Sequence, residues 1–245
     1  MKKYMTISNI HNMNNEPKDI EALLRIIIIH SEEIDRKLSD TDFEQIYKKF
    51  REHGIPVTKG DDYSYQAFQK IIKKYDYTLK DVEYFVSKFL PSKEQQGSIQ
   101  DLEMLLAAAM INRIISEEDE IEITNNFSEP IPNVGYRLSC GKIHVKGDAF
   151  TAGYGMSDGE LIIDGDVEIV GNEMSGGLIH VKGNVLGPFN CDNMNGGRVI
   201  IDGNVEDVIA SGMKDGVIEI NGNYKIIDDL KTGGEIYHRG RKIWG

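Results

Sequence analysis

Residues 159–165 read Gly-Glu-Leu-Ile-Ile-Asp-Gly, and residues 177–183 read Gly-Leu-Ile-His-Val-Lys-Gly. In both stretches two glycines stand six positions apart and enclose alternating aliphatic residues. The pattern occurs six times, and successive copies start 18, 18, 20, 19 and 18 residues apart. A repeat of this period predicts a solenoid in which each copy supplies one coil. The glycine pairs are Gly141/Gly147, Gly159/Gly165, Gly177/Gly183, Gly197/Gly203, Gly216/Gly222 and Gly234/Gly240.

Each copy has the alternation of a strand with one buried face. The second and fourth residues after the first glycine are aliphatic in eleven of twelve cases, His238 being the exception. The residues between them are mostly polar, as on a solvated sheet face. Asp or Asn follows the closing glycine in five of six copies, with Arg241 departing. Because Gly accepts positive φ and Asx side chains bond nearby backbone, we expect a corner there, so that each coil is strand, corner, strand, corner.

Other repeat architectures with similar periods fit these residues less well. A calcium-binding nonapeptide roll needs a GGxGxD turn, whereas Leu178 follows Gly176-Gly177. A leucine-rich repeat needs a framework of Leu and Asn that the copies lack. A left-handed hexapeptide helix explains the glycines at every sixth position from 141 to 183, but Thr151 and Ser157 occupy inward aliphatic slots. It remains the alternative to the predicted fold, a right-handed parallel β-helix of about six coils over residues 119–245.

Four consecutive coils carry a family resemblance. Met174-Ser-Gly-Gly-Leu-Ile-His-Val-Lys-Gly-Asn184 and its counterparts at 153–159, 193–197 and 211–216 resemble the GXGXG repeat. That repeat occurs in the C-terminal domain of the glutamate synthase large subunit and in one of the subunits of formylmethanofuran dehydrogenase. The resemblance covers residues ~135–245 and implies a right-handed β-helix that supports neighbouring catalytic parts. It transfers no catalytic residue, and residues 1–118 resemble neither an amidotransferase, an FMN barrel nor a molybdopterin domain.

Residues 1–118 are expected to form a separate, small all-helical domain. Five segments have apolar residues at helical spacing, and two of them begin with a capping-box sequence that has Asp in the acidic position. The expected starts are Pro17, Asp40 or Thr41, Tyr65, Thr78 and Ser98, and the expected ends include His53-Gly54, Tyr75, Leu90-Pro91 and Ser116.

Composition favours a soluble cytoplasmic protein. The net charge is −12, so nucleic acid and anionic membranes are unfavourable partners. The apolar run 26–29 is too short to span a bilayer, and no signal-peptide core follows Met1-Lys2-Lys3. The two cysteines, Cys140 and Cys191, form neither a disulfide framework nor a CxxC pair, which is typical of a reducing compartment.

The residues show no pattern typical of catalysis, metal binding or cofactor binding. His144 and His180 share an outward position but lie two rungs apart, about 9.6 Å, too far for one metal ion. The position of Cys191 after Pro188-Phe189 in the longest coil suggests an exposed thiol, but no base stands nearby in the sequence to activate it. An outward ladder of alternating charge is expected to stabilise the column rather than to catalyse; it comprises Lys146, Asp164, Lys182, Asp202, Asn221 and Arg239.

A second outward ladder predicts an interaction surface. Its residues are His144, Ile162, His180, Ile200, Glu219 and Tyr237. Exposed aliphatics on a solenoid face indicate that something covers them, either the helical domain or another protein. The sequence therefore predicts a non-catalytic scaffold subunit without a cofactor, whose partners are other protein subunits or further copies of itself. The alternatives are an enzyme with its site between the helical domain and the β-helix, and a self-associating solenoid.

Overall fold

The computed structural model describes residues 36–52, 61–94, 101–227 and 231–245. It has helices followed by a β-solenoid of about six turns, as the glycine pattern predicts. The helix expected after Pro17 and the stop at His53-Gly54 lie outside the described residues. The helices are α1 Asp40–Glu52, α2 Asp61–Ile72, α3 Leu79–Tyr84, α4 Leu90–Glu94 and α5 Asp101–Ile114, with a π-helical turn at Phe85–Phe89.

Twelve strands form the described part of the solenoid, in two faces. What we call the front sheet has the order β1-β2-β4-β6-β7-β9-β11-β12. The rear sheet comprises the pairs β3–β5 and β8–β10, which Val185 joins through bridges to Val167 and Val205. The strands are β1 Glu120–Thr124, β2 Lys142–Lys146, β3 Ala149–Ala152, β4 Glu160–Ile163, β5 Val167–Val170, β6 Ser175–Val181, β7 Asn195–Ile201, β8 Val205–Ile209, β9 Asp215–Ile220, β10 Tyr224–Ile227, β11 Glu235–His238 and β12 Arg241–Trp244.

The aliphatic residues of the front sheet stack in register. Its strands are parallel from β1 to β11, so each inward residue lies on its equivalent in the next coil. The inward aliphatic residues are all buried, with at most 1% exposure, because the two faces of the column enclose them, whereas His238 at the last inward position is partly exposed. The central inward ladder is Ile143, Leu161, Ile179, Val199, Ile218 and Ile236.

Glycine and methionine together form one corner of the column. The first glycine of each pair has positive φ, for example +80° at Gly177. A Cβ at Gly177 would lie 2.8 Å from the terminal methyl of Met156, one coil below. The corner methionines are fully buried, so each fills the space that the next glycine leaves open; they are Met156, Met174, Met194 and Met213.

The Asx residues after the closing glycines bond to the next coil rather than within their own turn. Asp166 Oδ1 accepts the backbone N–H of Asn184 at 2.6 Å, and Asn184 Oδ1 accepts that of Asn204 at 2.9 Å. The closing glycine between these rungs, Gly183, does not have positive φ. Its missing Cβ instead allows the backbone of Gly165 to approach closely. The expected corner is confirmed, but at the four closing glycines Gly165, Gly183, Gly203 and Gly222 it is close stacking rather than φ that requires glycine.

The last copy ends the column as a hairpin. β12 pairs antiparallel with β11, and Arg239 and Gly240 have φ of +50° and +74°. Two positive φ values are those of a type I′ turn, which reverses the chain within two residues. Arg241 therefore departs from the Asx pattern because this copy turns back instead of continuing into a further coil.

The helical region confirms one cap and corrects one end. Thr78 and Asp81 form a capping box, and the buried Asp81 also accepts the N–H of Leu38 at 2.9 Å. We expected the helix to end at Leu90-Pro91, and this expectation is wrong. The chain passes through the π-helical turn and continues as helix to Glu94. Pro91 cannot donate to the carbonyl of Ser87 four residues earlier. Asn126 Nδ2 donates to that carbonyl at 2.7 Å instead.

Candidate interaction surfaces

The predicted interaction ladder lies on the outward side of the front sheet. Strand pairing places Ile162 between His144 and His180, and Ile200 between His180 and Glu219. Tyr237 follows Glu219 on β11. All these side chains are partly exposed, whereas their neighbours along each strand are buried, except His238 beside Tyr237. The predicted alternation is confirmed, and no shift of register by one residue is needed.

Both histidines of this ladder pair with carboxylates, not with each other. His144 Nε2 lies 3.0 Å from Asp164 Oδ1, and His180 Nε2 lies 2.8 Å from Asp202 Oδ2. Lys182 Nζ also donates to Asp164, at 2.6 Å. The hydrogen bonds from Lys182 and His144 lower the pKa of Asp164. Among the described residues no group of three or more His, Cys, Asp or Glu side chains could hold a metal ion.

Charged pairs between coils surround the two isoleucines. Lys146 Nζ lies 2.8 Å from Glu122, and Arg198 pairs with Glu219. The pKa of Asp202 is lowered: burial opposes this shift, but hydrogen bonds from Asn221 and His180 outweigh it. Such exposed pairs contribute little stability individually. Their effect is to leave an aliphatic centre within a polar rim, the arrangement typical of protein interfaces.

The described helices contact the solenoid elsewhere, at its first coils. Asp62 on α2 accepts two bonds from Arg137, both at 2.8 Å, and one from the Tyr136 hydroxyl at 2.6 Å. Tyr154 stacks on Tyr136 at 5.4 Å between ring centroids. Burial, together with a hydrogen bond to Glu173, raises the pKa of Tyr154 to about 12. Ile162 and Ile200 remain partly exposed with these helices in place.

An open cleft of about 550 Å³ lies where the helical region meets the solenoid. Its walls include the partly exposed Cys140, Lys142 and several carboxylates, among them Asp119. The Ser116 hydroxyl and backbone N–H donate to Asp119 and lower its pKa. A general acid at neutral pH needs a raised pKa, so Asp119 is suited to hold the turn rather than to donate a proton.

Cys191 is not the exposed thiol that its neighbours in the sequence suggested. Its side chain is fully buried, and burial raises the pKa of the thiol. The backbone of Cys191 has a positive φ of +55°. The equivalent corner residues of the neighbouring coils, Gly171 and Ala210, also have positive φ, both +70°. Alignment of Cys191 with these small corner residues would have indicated an inward position. A buried, protonated thiol is unsuited to act as a nucleophile.

Sequence reasoning missed an apolar region on the rear sheet. Phe189 is 61% exposed and has φ of +64°, which is rare for a bulky residue. Ile226 and Phe150 are also exposed, at 50% and 46%. The extra length of the coil that contains Pro188-Phe189 was the sequence signal for this region. The outward direction of the Phe189 side chain, however, depends on the packing of Asn190.

No protein-family model matches the chain, and neither a curated protein nor a solved structure matches it. No helix within the described ranges is long and apolar enough to cross a membrane. The resemblance to the GXGXG repeat therefore stays a prediction.

Proposed function

We propose that this chain is a non-catalytic scaffold subunit that presents the outward face of its front sheet to another protein. The observation that carries the proposal is the partly exposed pair Ile162 and Ile200 on a regular parallel sheet. Their inward neighbours are fully buried, so the face is held by a packed core and needs little ordering when a partner binds.

The kind of partner follows from the resemblance and from the charge. In glutamate synthase and formylmethanofuran dehydrogenase the GXGXG domain supports neighbouring catalytic parts, so we propose a subunit of a similar redox or amidotransfer complex. A net charge of −12 disfavours nucleic acid and anionic membranes. The proposal includes a right-handed column, a compact helical domain attached to it, and a cytoplasmic location.

The first test is purification of the tagged chain from its own cells, with mass spectrometry of the proteins that accompany it. We expect a stoichiometric oxidoreductase or amidotransferase subunit with the natural sequence. The double variant Ile162→Glu/Ile200→Glu should lose it, because burying unpaired carboxylates is costly. Ile226→Glu, which changes an exposed aliphatic on the rear sheet, should retain it.

Two results would contradict the proposal. One is the absence of any stoichiometric subunit of that class, and the other is retention of the partner by the double variant. Circular dichroism must show the strand signal unchanged in both variants, since the substituted side chains point outward. The purified chain alone should carry no metal, flavin or nucleotide; a tightly held cofactor would favour an enzyme.

A further inference from the structure

The corner after each closing glycine carries two ladders of hydrogen bonds that run from coil to coil. In one ladder the Asx Oδ1 atom accepts the backbone N–H of the next Asx residue, as Asn204 accepts from Asn223 at 2.9 Å. In the other ladder a glycine carbonyl accepts the N–H of the next closing glycine, as Gly183 accepts from Gly203 at 3.0 Å. A parallel stack of this kind leaves acceptors at its last coil, here Asn223 Oδ1 and the carbonyl of Gly222, which a further coil would have bonded.

Two side chains of the last copy bond to both of these acceptors. Arg239 Nη2 donates to Asn223 Oδ1 at 3.1 Å, and His238 Nε2 donates to the carbonyl of Gly222 at 2.9 Å. Arg239 Nε also donates to the carbonyl of Asn221 at 3.2 Å. The side chains thus replace the backbone donors of a further coil. His238 departs from the aliphatic pattern of the inward positions because it serves this end of the column.

The methionine corner is also closed by a different residue at its last coil. Thr232 N–H donates to the carbonyl of Met213 at 2.7 Å, so Lys231 holds the position one coil after Met213. The Lys231 side chain is buried, and its Nζ lies 4.8 Å from the ring centroid of Trp244 on β12. A cation over an aromatic ring therefore covers the corner where another methionine would present an apolar surface.

Strand β12 forms an edge that is poorly suited to pair with another chain. It has four residues, begins with Arg241 and Lys242, and runs against the direction of the coils. Lys242 Nζ bonds to Glu235 Oε1 on β11 at 2.7 Å, which holds the hairpin in place. Short edge strands with basic side chains are a common means by which natural sheets avoid pairing with one another.

The helical region covers the opposite edge of the front sheet. The backbone N–H of Glu122, on β1, donates to Glu83 Oε1 on α3 at 3.3 Å. The bond from Asn126 to the carbonyl of Ser87 lies on the same side. Elements of this chain therefore close both ends of the front sheet.

We propose that the last copy is a cap that prevents one column from adding to the end of another. Solenoids need terminal repeats of this kind, because an unpaired coil is a template for the next one. The cap acts whatever protein covers the front sheet. It leaves the faces of the column, and not its ends, for contacts with other proteins.

Gly240→Pro in the full chain opens the capped end. Gly240 has φ of +74° in the hairpin turn, whereas the proline ring fixes φ at about −65°, so the turn cannot form and β11 keeps an unpaired edge. Gly240→Asn is the matched control, because Asn tolerates positive φ and a Cβ at Gly240 would meet nothing within 4 Å.

Sedimentation velocity at roughly 1 to 100 μM compares the two variants with the natural sequence. Gly240→Pro should dimerise with a dissociation constant at least about tenfold lower than that of the natural sequence, and Gly240→Asn should stay within about twofold of it. Because the helices still cover β1, association should stop at twice the chain mass of 27.6 kDa. The strand signal in circular dichroism should be retained in both variants.

Three results would overturn the cap. They are a Gly240→Pro variant that associates no more tightly than the natural sequence, a Gly240→Asn variant that associates as tightly as Gly240→Pro, and growth of either into species larger than a dimer.

A second test measures stability, so its result stands even where Gly240→Pro fails to fold. His238→Val restores the aliphatic pattern but removes the donor to Gly222, so the urea midpoint should fall. His238→Gln is the control, because its amide nitrogen lies as many bonds from Cα as Nε2 of histidine does, and its midpoint should stay close to that of the natural sequence. A valine variant as stable as the natural sequence, or a glutamine variant no more stable than the valine one, would show that His238 does not cap the column.

Discussion

The substitution Gly177→Ala isolates the cost of placing a Cβ at a corner of the column. Gly177 has φ of +80°, and an added Cβ would lie 2.7 Å from the carbonyl oxygen of Gly159. The left-handed conformation costs an L-residue about 1–2 kcal/mol. The contact is with backbone of the coil below, which cannot rotate away as a side chain can, and overpacking of this kind costs about 1–3 kcal/mol. We therefore expect the free energy of unfolding to fall by about 2–5 kcal/mol.

Gly155→Ala is the matched control, because it shares the conformation but lacks the collision. Gly155 has φ of +62°, and a Cβ there would meet only Arg137 Cγ, at 3.4 Å. The equivalent positions of neighbouring coils already hold Arg137 and Glu173, with φ of +53° and +55°. Its cost should therefore be limited to conformation, about 1 kcal/mol.

Urea unfolding followed by circular dichroism measures both variants. The midpoint should fall much further for Gly177→Ala than for Gly155→Ala, with similar slopes against urea concentration. Equal midpoints for the two variants would refute the argument that close stacking of coils, and not φ alone, requires glycine at this corner.

Three further predictions concern the helical region and the thiols. Hydrogen bonds from Tyr136 and Arg137 lower the pKa of Asp62 in the folded protein. Ionised Asp62 therefore stabilises the fold fully above the unfolded pKa near 3.9, and this stabilisation is lost as the pH falls from there through the lower folded pKa. The difference in unfolding free energy between the natural sequence and Asp62→Asn should accordingly shrink in titrations below about pH 4. Asn126→Ala should lower the free energy of unfolding by about 0.5–1.5 kcal/mol by removing the donor to Ser87, and a double-mutant cycle with Pro91→Ala, which restores a backbone donor, should show a smaller loss. A thiol reagent should label Cys140 in the native protein but Cys191 only after unfolding, as mass spectrometry of labelled peptides can check.

Local patterns determined the front sheet. Alternation along a strand has a period of two, and the first glycine of each copy marks where the alternation starts, so Ile162 and Leu161 were assigned to opposite faces correctly. The capping box was also predictable from local sequence, because its two partners, Thr78 and Asp81, are only three residues apart. Strand β1 was missed because it lacks the flanking glycines, although it pairs in register with β2.

Contacts between residues distant in the chain decided what the sequence left open. Asp62 and Arg137 are 75 residues apart, and no local pattern shows that they meet or that the described helices lie at the first coils. The outward direction of Phe189 likewise depends on Asn190, whose buried amide bonds to Val170 of the preceding coil. Backbone preference and periodicity are set by neighbouring residues, so the sequence alone determined the coil and its two faces. Burial and docking depend on which coils stack, so only the tertiary structure decided that Cys191 is enclosed and that the rear sheet displays an apolar region.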